Sequence, residues 1–590
     1  MTERNDPPST PPDAAPDLEA PRWRAPAGTS GAITLIRTNL AAARLDPRDC
    51  PTAVAAKARP LLAADPKPPY ARRPVQTFAM GPLMAVLDRI EHGQEPDAAL
   101  AELHHTRGVL ADRMAPAHPG LLAWTRQAAT RFLAARAADQ NTAAADGRAQ
   151  TYPIGHDWVA GRHSERPDAR GATTYEQTAW GRRYASPDGT LRELWLPSQG
   201  SAKASRPAAE IAAAAYVVVC GRPAEGGGWK PYAPLPASAL QPAHSVPPDR
   251  VRIIEFGCRD GEHHVLADWD RQQCLDAFAR DAAPALAAAV ERDGTRPGSS
   301  CADCKAITGC QALTTARGLL EIAPPRDRPP RSTLSASDLR YHHDCPAMYH
   351  LVRMLNLKSG LPENPAIRLG RGVDAVLNRR HAEPAARLCR PGADGWTPEE
   401  TDLIGDQAET ARGMLEQHAD YCPLDGLDPG TQPLPQQQVT CFDPDINTVF
   451  INTPDLLYPR GNGWVWRETK ASPGGVYEGK PLLENYPQLA LAVLMINAGA
   501  LGGDPRHSLI ELEVLGPDDT TFLEISPARP EVAAQARAAL RDHAQALLAD
   551  REFPAHPGRA CTGCEALPWC APGQAHITTD HPDPTTGARP

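Results

Sequence analysis

The string Cys301-Ala-Asp-Cys304-Lys-Ala-Ile-Thr-Gly-Cys310 recurs near the end of the chain as Cys561-Thr-Gly-Cys564-Glu-Ala-Leu-Pro-Trp-Cys570, and both read C-x2-C-x5-C. Each triplet follows two strand-like stretches and a long alanine-rich amphipathic helix, over 251–291 in the first copy and 508–551 in the second. Each copy also has one cysteine far upstream beside a proline, Cys50-Pro51 and Cys345-Pro346. Self-similarity on this scale marks a duplicated unit. Thiolates are soft ligands, and four of them complete a zinc or an iron–sulfur site. A distant first ligand followed by a compact triplet ties the beginning of a folded unit to its end, which makes each quartet a clasp. A zinc ribbon would more often show two C-x2-C knuckles, whereas each half here has one knuckle and two single cysteines. Zinc stays open as the alternative.

Fourteen cysteines in a chain whose polar, Pro-rich start lacks the pattern of a signal peptide do not read as a disulfide framework, because the cytosol keeps thiols reduced. The expected location is cytoplasmic. Six cysteines, Cys220, Cys258, Cys274, Cys389, Cys422 and Cys441, lack the quartet spacing and read as buried small apolar residues. No run of 18 apolar residues occurs, so no membrane span is expected.

A length of 590 residues exceeds what one hydrophobic core organises. Four prolines within residues 323–331 forbid helix and sheet alike and mark a linker. The expected organisation is a disordered tail over 1–25, a first domain over 26–322, the linker, a second domain over 332–572 and a polar tail over 573–590. The net charge of −10 argues against a protein that coats nucleic acid non-specifically. Between Arg331 and Glu383, however, eight Lys and Arg residues face five acids, either an ordinary solvated surface or a local basic groove.

In the second half, Asn452-Thr-Pro454-Asp455 and the residues up to Glu468-Thr469-Lys470 read as strand, Gly461-Asn462-Gly463 turn and strand. Such a hairpin brings Asp455 close to Glu468, and the period of two puts Glu468 and Lys470 on one face with Thr469 on the other. Two carboxylates and an amine on one face suit hard-cation chemistry. The acids, with the Thr469 carbonyl as a further donor, would hold Mg²⁺ or Mn²⁺, and Lys470 would orient or help deprotonate an attacking water. The bland reading of D-x12-E-x-K is an exposed salt-bridged hairpin.

Pro454-Asp455 followed by Glu468-Thr469-Lys470 resembles the signature of the PD-(D/E)XK nuclease superfamily. The enclosing Cys345, Cys561, Cys564 and Cys570 resemble its cluster-bearing branch of RecB- and AddB-like recombination nucleases and CRISPR adaptation exonucleases. The opening segment Ser335-Ala-Ser337-Asp-Leu339-Arg-Tyr341, followed by Cys345-Pro346, fits that branch, and the likeness runs from about Ser332 to Cys570. The resemblance implies an α/β fold of two restriction-endonuclease-like domains, each a small mixed sheet flanked by helices with a four-cysteine clasp. It implies a 4Fe–4S cluster on Cys345, Cys561, Cys564 and Cys570, and a second on Cys50, Cys301, Cys304 and Cys310. It also implies metal ligation by Asp374, Asp455 and Glu468, catalysis by Asp455, Glu468 and Lys470, and substrate contact by Gln488.

Asp374 stands where the family carries histidine in a Gly-x3-His motif, and Ala492 stands where a Gln-x3-Tyr helix would have its tyrosine. The implied substrate is DNA, single-stranded or at duplex ends, cut by an exonuclease or end-processing activity of DNA repair. A helicase or recombination partner would supply unwinding. The rival is a non-catalytic DNA-binding scaffold that keeps the fold and its clasps.

Sliding the halves by 275 positions without a gap pairs Asp455 with Trp180, Glu468 with Glu193, Lys470 with Trp195 and Gln488 with Ala213, and a separate match sets Met84 against Asp374. A site with indoles in place of an aspartate and a lysine holds no catalytic metal in the same manner, so the first half reads as a degenerate copy that is structural or binds DNA. Trp180 and Trp195 are expected to fill a vacated core, with base stacking as the alternative. Gly474 to Lys480 fits G-x4-G-K, but Pro481 stands where a phosphate loop needs Ser or Thr, so the segment reads as a loop.

Overall fold

A computed structural model describes residues 23–67, 73–102, 115–163, 173–240, 246–325, 329–382, 389, 401–428, 430–472, 479–516 and 518–580. The decoy segment from Gly474 lies largely outside these residues, as do 1–22 and 581–590 of the expected tails. Order begins before the boundary expected at 25, because Trp23 carries the guanidinium of Arg59 3.6 Å from its ring centre. At the other end a helix, Ala571–Asp580, occupies residues expected to belong to the tail.

Each half builds two sheets, the first alike in strand order throughout and the second alike over three strands. In the first half a five-stranded sheet runs in the order His263–Asp270, Arg250–Gly257, Leu191–Ser198, Arg182–Ala185 and Tyr152–Pro153. In the second the order is Thr520–Ile525, Leu509–Leu515, Gly463–Ala471, Leu456–Arg460 and Leu434–Pro435. Only one neighbouring pair is parallel in each, Leu191–Ser198 with Arg250–Gly257 and Gly463–Ala471 with Leu509–Leu515. A parallel pair needs a crossover, which the helices Ala208–Cys220 and Pro487–Asn497 supply. The second sheets agree too. Leu35–Thr38 lies parallel to Thr174–Thr178, which is antiparallel to Asp157–His163; Ser332–Leu334, Thr448–Asn452 and Val439–Asp443 repeat that order.

The strands follow from β-branched and alternating sequence. In Leu509–Leu515 (LIELEVL), Ile510, Leu512 and Val514 join the core beneath the crossover helix, while Glu511 and Glu513 point the other way. Both glutamates are buried and both are satisfied, Glu511 by Arg467 at 2.7 Å and Glu513 by His418 at 2.8 Å, as burial of charge requires. The alanine-rich helix expected after the second strand pair is Pro530–Ala549. Its counterpart, Arg271–Glu291, is widened over Phe278–Ala282, just ahead of Pro284, whose ring and missing N–H disfavour a regular turn.

The halves share apolar cores, and each cysteine triplet packs on the opposite half. Trp124 and Phe132 of the helix Pro119–Ala145 cluster with Leu351, Leu355, Ala566 and Trp569, and the Trp569 indole N–H donates to Gln127 at 2.8 Å. Reciprocally, Cys301, Ile307 and Leu313 pack against Phe442 and Val449, and the Arg331 guanidinium donates to the carbonyls of Cys301 and Cys304. Leu351 is fully buried in the first of these cores. Leu351→Ala is expected to cost about 2–5 kcal/mol and to lower the urea midpoint of both halves together. A variant in which only one half loses midpoint would contradict the shared core.

Candidate active site

The turn Gly461-Asn462 closes a hairpin with Arg460 opposite Gly463, and Gly461 adopts φ +56°, the left-handed backbone glycine favours. From that turn the antiparallel register sets Leu456 opposite Arg467, which brings the preceding Asp455 beside Glu468. The Asp455 amide N–H donates to the Arg467 carbonyl at 3.0 Å and fixes the residue at the strand's entrance. One Asp455 carboxylate oxygen accepts from the Thr469 amide at 2.7 Å and from Lys470 Nζ at 3.3 Å. The other accepts from Gln436 Nε2 at 3.0 Å. Lys470 Nζ also donates to Glu468 at 3.0 Å and to the Thr469 carbonyl at 3.2 Å. Trp466 Nε1 holds the second Glu468 oxygen at 3.1 Å.

The ammonium therefore sits between two carboxylates, with a backbone carbonyl beside it. As the alternation predicts, the Thr469 side chain points through the sheet, donating to Glu513 at 3.0 Å.

Burial governs the electrostatics. Glu468 is 3 % exposed, and desolvation, with Asp455 adding to it against Lys470, pushes its carboxyl up to about 7. Asp374, on the helix Pro365–Ala382, is pushed up to about 6 by burial and then by the charge of Asp455. Lys470 is raised: burial opposes its charge, and Glu468 and Asp455 more than offset that. Asp374 thus lies within electrostatic reach of both Asp455 and Lys470.

A divalent cation binds only the ionised carboxyls, so these raised values set a sign. Mn²⁺ affinity should fall as pH drops from about 8 to about 6, approaching roughly tenfold per unit below the Glu468 value. A titration at several pH values checks this, and an affinity flat over that range would contradict it.

Gln488 stands at the start of the crossover helix and is half-buried, fixed through its backbone carbonyl, which accepts from Asn452 Nδ2 at 2.8 Å. Three neighbours escaped the sequence reading. Tyr486 is close enough for the Lys470 charge to act on its hydroxyl. Gln436, at φ +52°, reaches Asp455 from the turn that follows the short edge strand Leu434–Pro435. Asn378 hydrogen-bonds Asp374 from one helical turn further on. The last was visible as an i, i+4 pair; the other two depend on the tertiary fold.

A sequence profile described as the PD-(D/E)XK nuclease superfamily matches residues 333–571, the stretch that contains this hairpin and its ammonium between two acids. The second half is a PD-(D/E)XK nuclease superfamily domain. No curated protein matches the chain. Among solved structures, a proposed exonuclease from Eubacterium rectale is 10 % identical, with a TM-score of 0.28, over 39 % of this chain and 86 % of its own. The protein SSO0001 is 13 % identical, with a TM-score of 0.20, over 41 % and 86 % respectively.

The first half corrects the gapless pairing with this domain. There Leu194 and Leu196 face the crossover helix, together with Val251 and Ile253. Glu193 and Trp195 point to the opposite face, toward Arg136 and Phe132 of the long helix. In the PD-(D/E)XK domain the crossover face carries Trp466, and by alternation Glu468 and Lys470. Arg467 faces away, toward the Tyr421 carbonyl. Glu193 and Trp195 therefore match the Arg467 and Thr469 side, and aliphatic side chains stand where the acid and amine would be. The hairpins also differ in length, Ala185 pairing with Arg192 where Arg460 pairs with Gly463, so no single offset aligns both of their strands. Trp195 is fully buried, as expected of core filling; Trp180 is not, being 43 % exposed and set edge-on to Phe78.

The cysteines of each quartet gather. Cys301 lies within electrostatic reach of Cys50, Cys304 and Cys310, and Cys564 of Cys345, Cys561 and Cys570. Backbone N–H groups point at the sulfurs in the same pattern twice: Arg296 to Cys50 and Gly298 to Cys301, both at 3.4 Å, then His556 to Cys345 at 3.3 Å and Gly558 to Cys561 at 3.4 Å. Such donors stabilise thiolates. The second quartet lines a small pocket walled otherwise by apolar groups such as Met348, Leu351 and Leu567. Among the described residues, neither quartet has three sulfurs all within 4.8 Å of one another. Thiolates on one zinc sit roughly 3.8 Å apart, from bonds of about 2.3 Å.

Among the described residues, the set that does meet the 4.8 Å limit is His381, Cys389, His418 and Cys422. Cys389 and Cys422, whose spacing reads as that of buried small apolar residues, belong to this group. The H-x3-C step from His418 to Cys422 was the available signal, one helical turn at a helix end.

No helix among the described residues is long and apolar enough to cross a membrane.

Proposed function

We propose that the second half is a metal-dependent deoxyribonuclease acting at DNA ends, and that the first half is a degenerate copy serving as scaffold or DNA-binding surface. The observation that carries the reading is the position of Lys470 Nζ, 3.0 Å from Glu468 and 3.3 Å from Asp455. Asp455 and Glu468 flank the ammonium and Asp374 lies within electrostatic reach of Asp455 and Lys470, a set of hard oxygen donors that fits Mg²⁺ or Mn²⁺ and not a soft metal. When bound there by Asp374, Asp455 and Glu468, the cation supplies Lewis acidity toward the scissile phosphate and its incoming water. Lys470 then holds the water in line and offsets phosphate charge, while Tyr486 and Gln488, at the mouth of the crossover helix, are placed to touch substrate.

The wide sulfur spacing supports a 4Fe–4S cluster over zinc in each quartet, as the likeness to the RecB- and AddB-like branch implies. Action at ends rests on that same likeness, as does a helicase or repair partner. The test offers end-labelled linear DNA, single- and double-stranded, and a covalently closed circle with Mg²⁺ or Mn²⁺. Linear substrates should shorten while the circle persists. A protein inert on all of them with both metals is a scaffold.

A further inference from the structure

The acidic site and the two quartets leave one cluster of metal-ligating side chains unused. We propose that His381, Cys389, His418 and Cys422 form a structural zinc site that braces the catalytic strand from behind. Two helices and a separate segment converge on it. His381 ends the helix Pro365–Ala382, which also carries Asp374; His418 and Cys422 lie one turn apart at the end of Asp406–Tyr421; and the Cys389 carbonyl is held by Arg380 at 2.9 Å. The His381 and His418 rings are 5.3 Å apart, and Cys422 Sγ is 4.0 Å from His381 Nε2.

The state of His418 points to a ligand. Its Nδ1 side is committed to both oxygens of Glu513, at 2.8 and 2.9 Å. Its Nε2 is buried in a residue with no solvent exposure and meets no oxygen or nitrogen partner, its near neighbour being the Cys422 sulfur. A buried ring nitrogen without a partner costs free energy unless something fills its lone pair. A carboxylate on the far nitrogen of a ligating histidine is how such rings are oriented and made more basic. Two thiolates and two imidazoles within 4.8 Å of one another match the tetrahedral Cys2His2 set, whose softness selects zinc over the hard cation proposed for the acidic site.

The site reaches the nuclease centre by one chain of bonds. Glu513, holding His418, also accepts from Thr469 Oγ1 at 3.0 Å, and the Thr469 amide donates to Asp455 at 2.7 Å. Zinc bound here would fix the Thr469 side of the strand whose other face carries Glu468 and Lys470. It would also pin the helix of Asp374 to that of His418.

Elemental analysis and zinc-edge X-ray absorption of the anaerobically purified full chain test this. The expected result is about one tightly held zinc per chain with a mixed shell of two sulfurs and two nitrogens, near 2.3 and 2.0 Å. Cys389→Ser with Cys422→Ser should lose that zinc and keep its iron. Should the variant prove insoluble, the wild-type spectrum decides alone. An all-sulfur zinc shell, absence of zinc, or a Cys389–Cys422 disulfide would overturn the proposal. The outcome is independent of nuclease activity, so an inert protein with a two-sulfur, two-nitrogen zinc would leave this site standing and end only the catalytic reading.

Discussion

Lys470→Ala is expected to reduce DNA hydrolysis by at least about a hundredfold, the range for losing a group that positions or deprotonates a nucleophile. The same change should mark stability in a way that depends on metal. Without the ammonium, Asp455 and the buried Glu468 face each other with nothing between them, since Lys470 contributes the contacts at 3.3 and 3.0 Å. Like charges in a desolvated site raise a carboxyl further, so the metal-free variant should melt below the metal-free wild type. A divalent cation bound at the proposed site would occupy the region the ammonium vacates and restore the balance. Added Mn²⁺ should therefore raise the Tm of the variant more than that of the wild type, through preferential binding to the folded state. Rates of nucleotide release and melting curves with and without Mn²⁺ measure both effects. A variant that cleaves within twofold of wild type would remove Lys470 from the mechanism.

Replacing two ligands of the second quartet, Cys561→Ser with Cys564→Ser, is expected to bleach the protein and to destabilise it by several kcal/mol, on the order expected when a structural metal centre is lost. The damage should not stay local. Ala566 and Trp569, from the same loop, are buried among Trp124, Leu121 and Phe132 of the first half, and Trp569 is tethered to Gln127. When the loop loses its clasp, the shared core loses that wall, so the urea midpoints of both halves should fall. Cys441→Ala is the control: Cys441 is buried but belongs to neither quartet, and its loss should cost about 1 kcal/mol and leave the colour unchanged. A double variant with wild-type colour and midpoint would contradict the clasp.

The elements with a strict local period were legible in the sequence. The two-residue turn and the alternation along Gly463–Ala471 were enough to bring Asp455, Glu468 and Lys470 together and to send Thr469 through the sheet. Cysteine spacing showed that something was duplicated, and the repeated strand order shows how much.

What failed had no local signature. A gapless comparison assumes equal hairpins, and here it matched Glu193 and Trp195, which lie opposite the crossover-helix face, with Glu468 and Lys470, which lie on it. Gln436 reaches Asp455 from a turn 19 residues away, through a backbone conformation that no propensity foretells for glutamine. The four soft ligands around His418 are spread over two helices and a separate segment, so they form a set only after those elements pack. The crossing of each triplet onto the opposite half was invisible for the same reason: sequence marks what binds within a clasp and not what lies against it.

The most direct measurement is a count of tightly bound Mn²⁺ by electron paramagnetic resonance, comparing the wild-type chain with Asp455→Asn plus Glu468→Gln at pH 8. The acidic hairpin predicts Mn²⁺ bound by the wild type and lost in the double variant, with the iron and zinc contents of the two proteins equal. Equal Mn²⁺ binding by both, or none by the wild type, would contradict it.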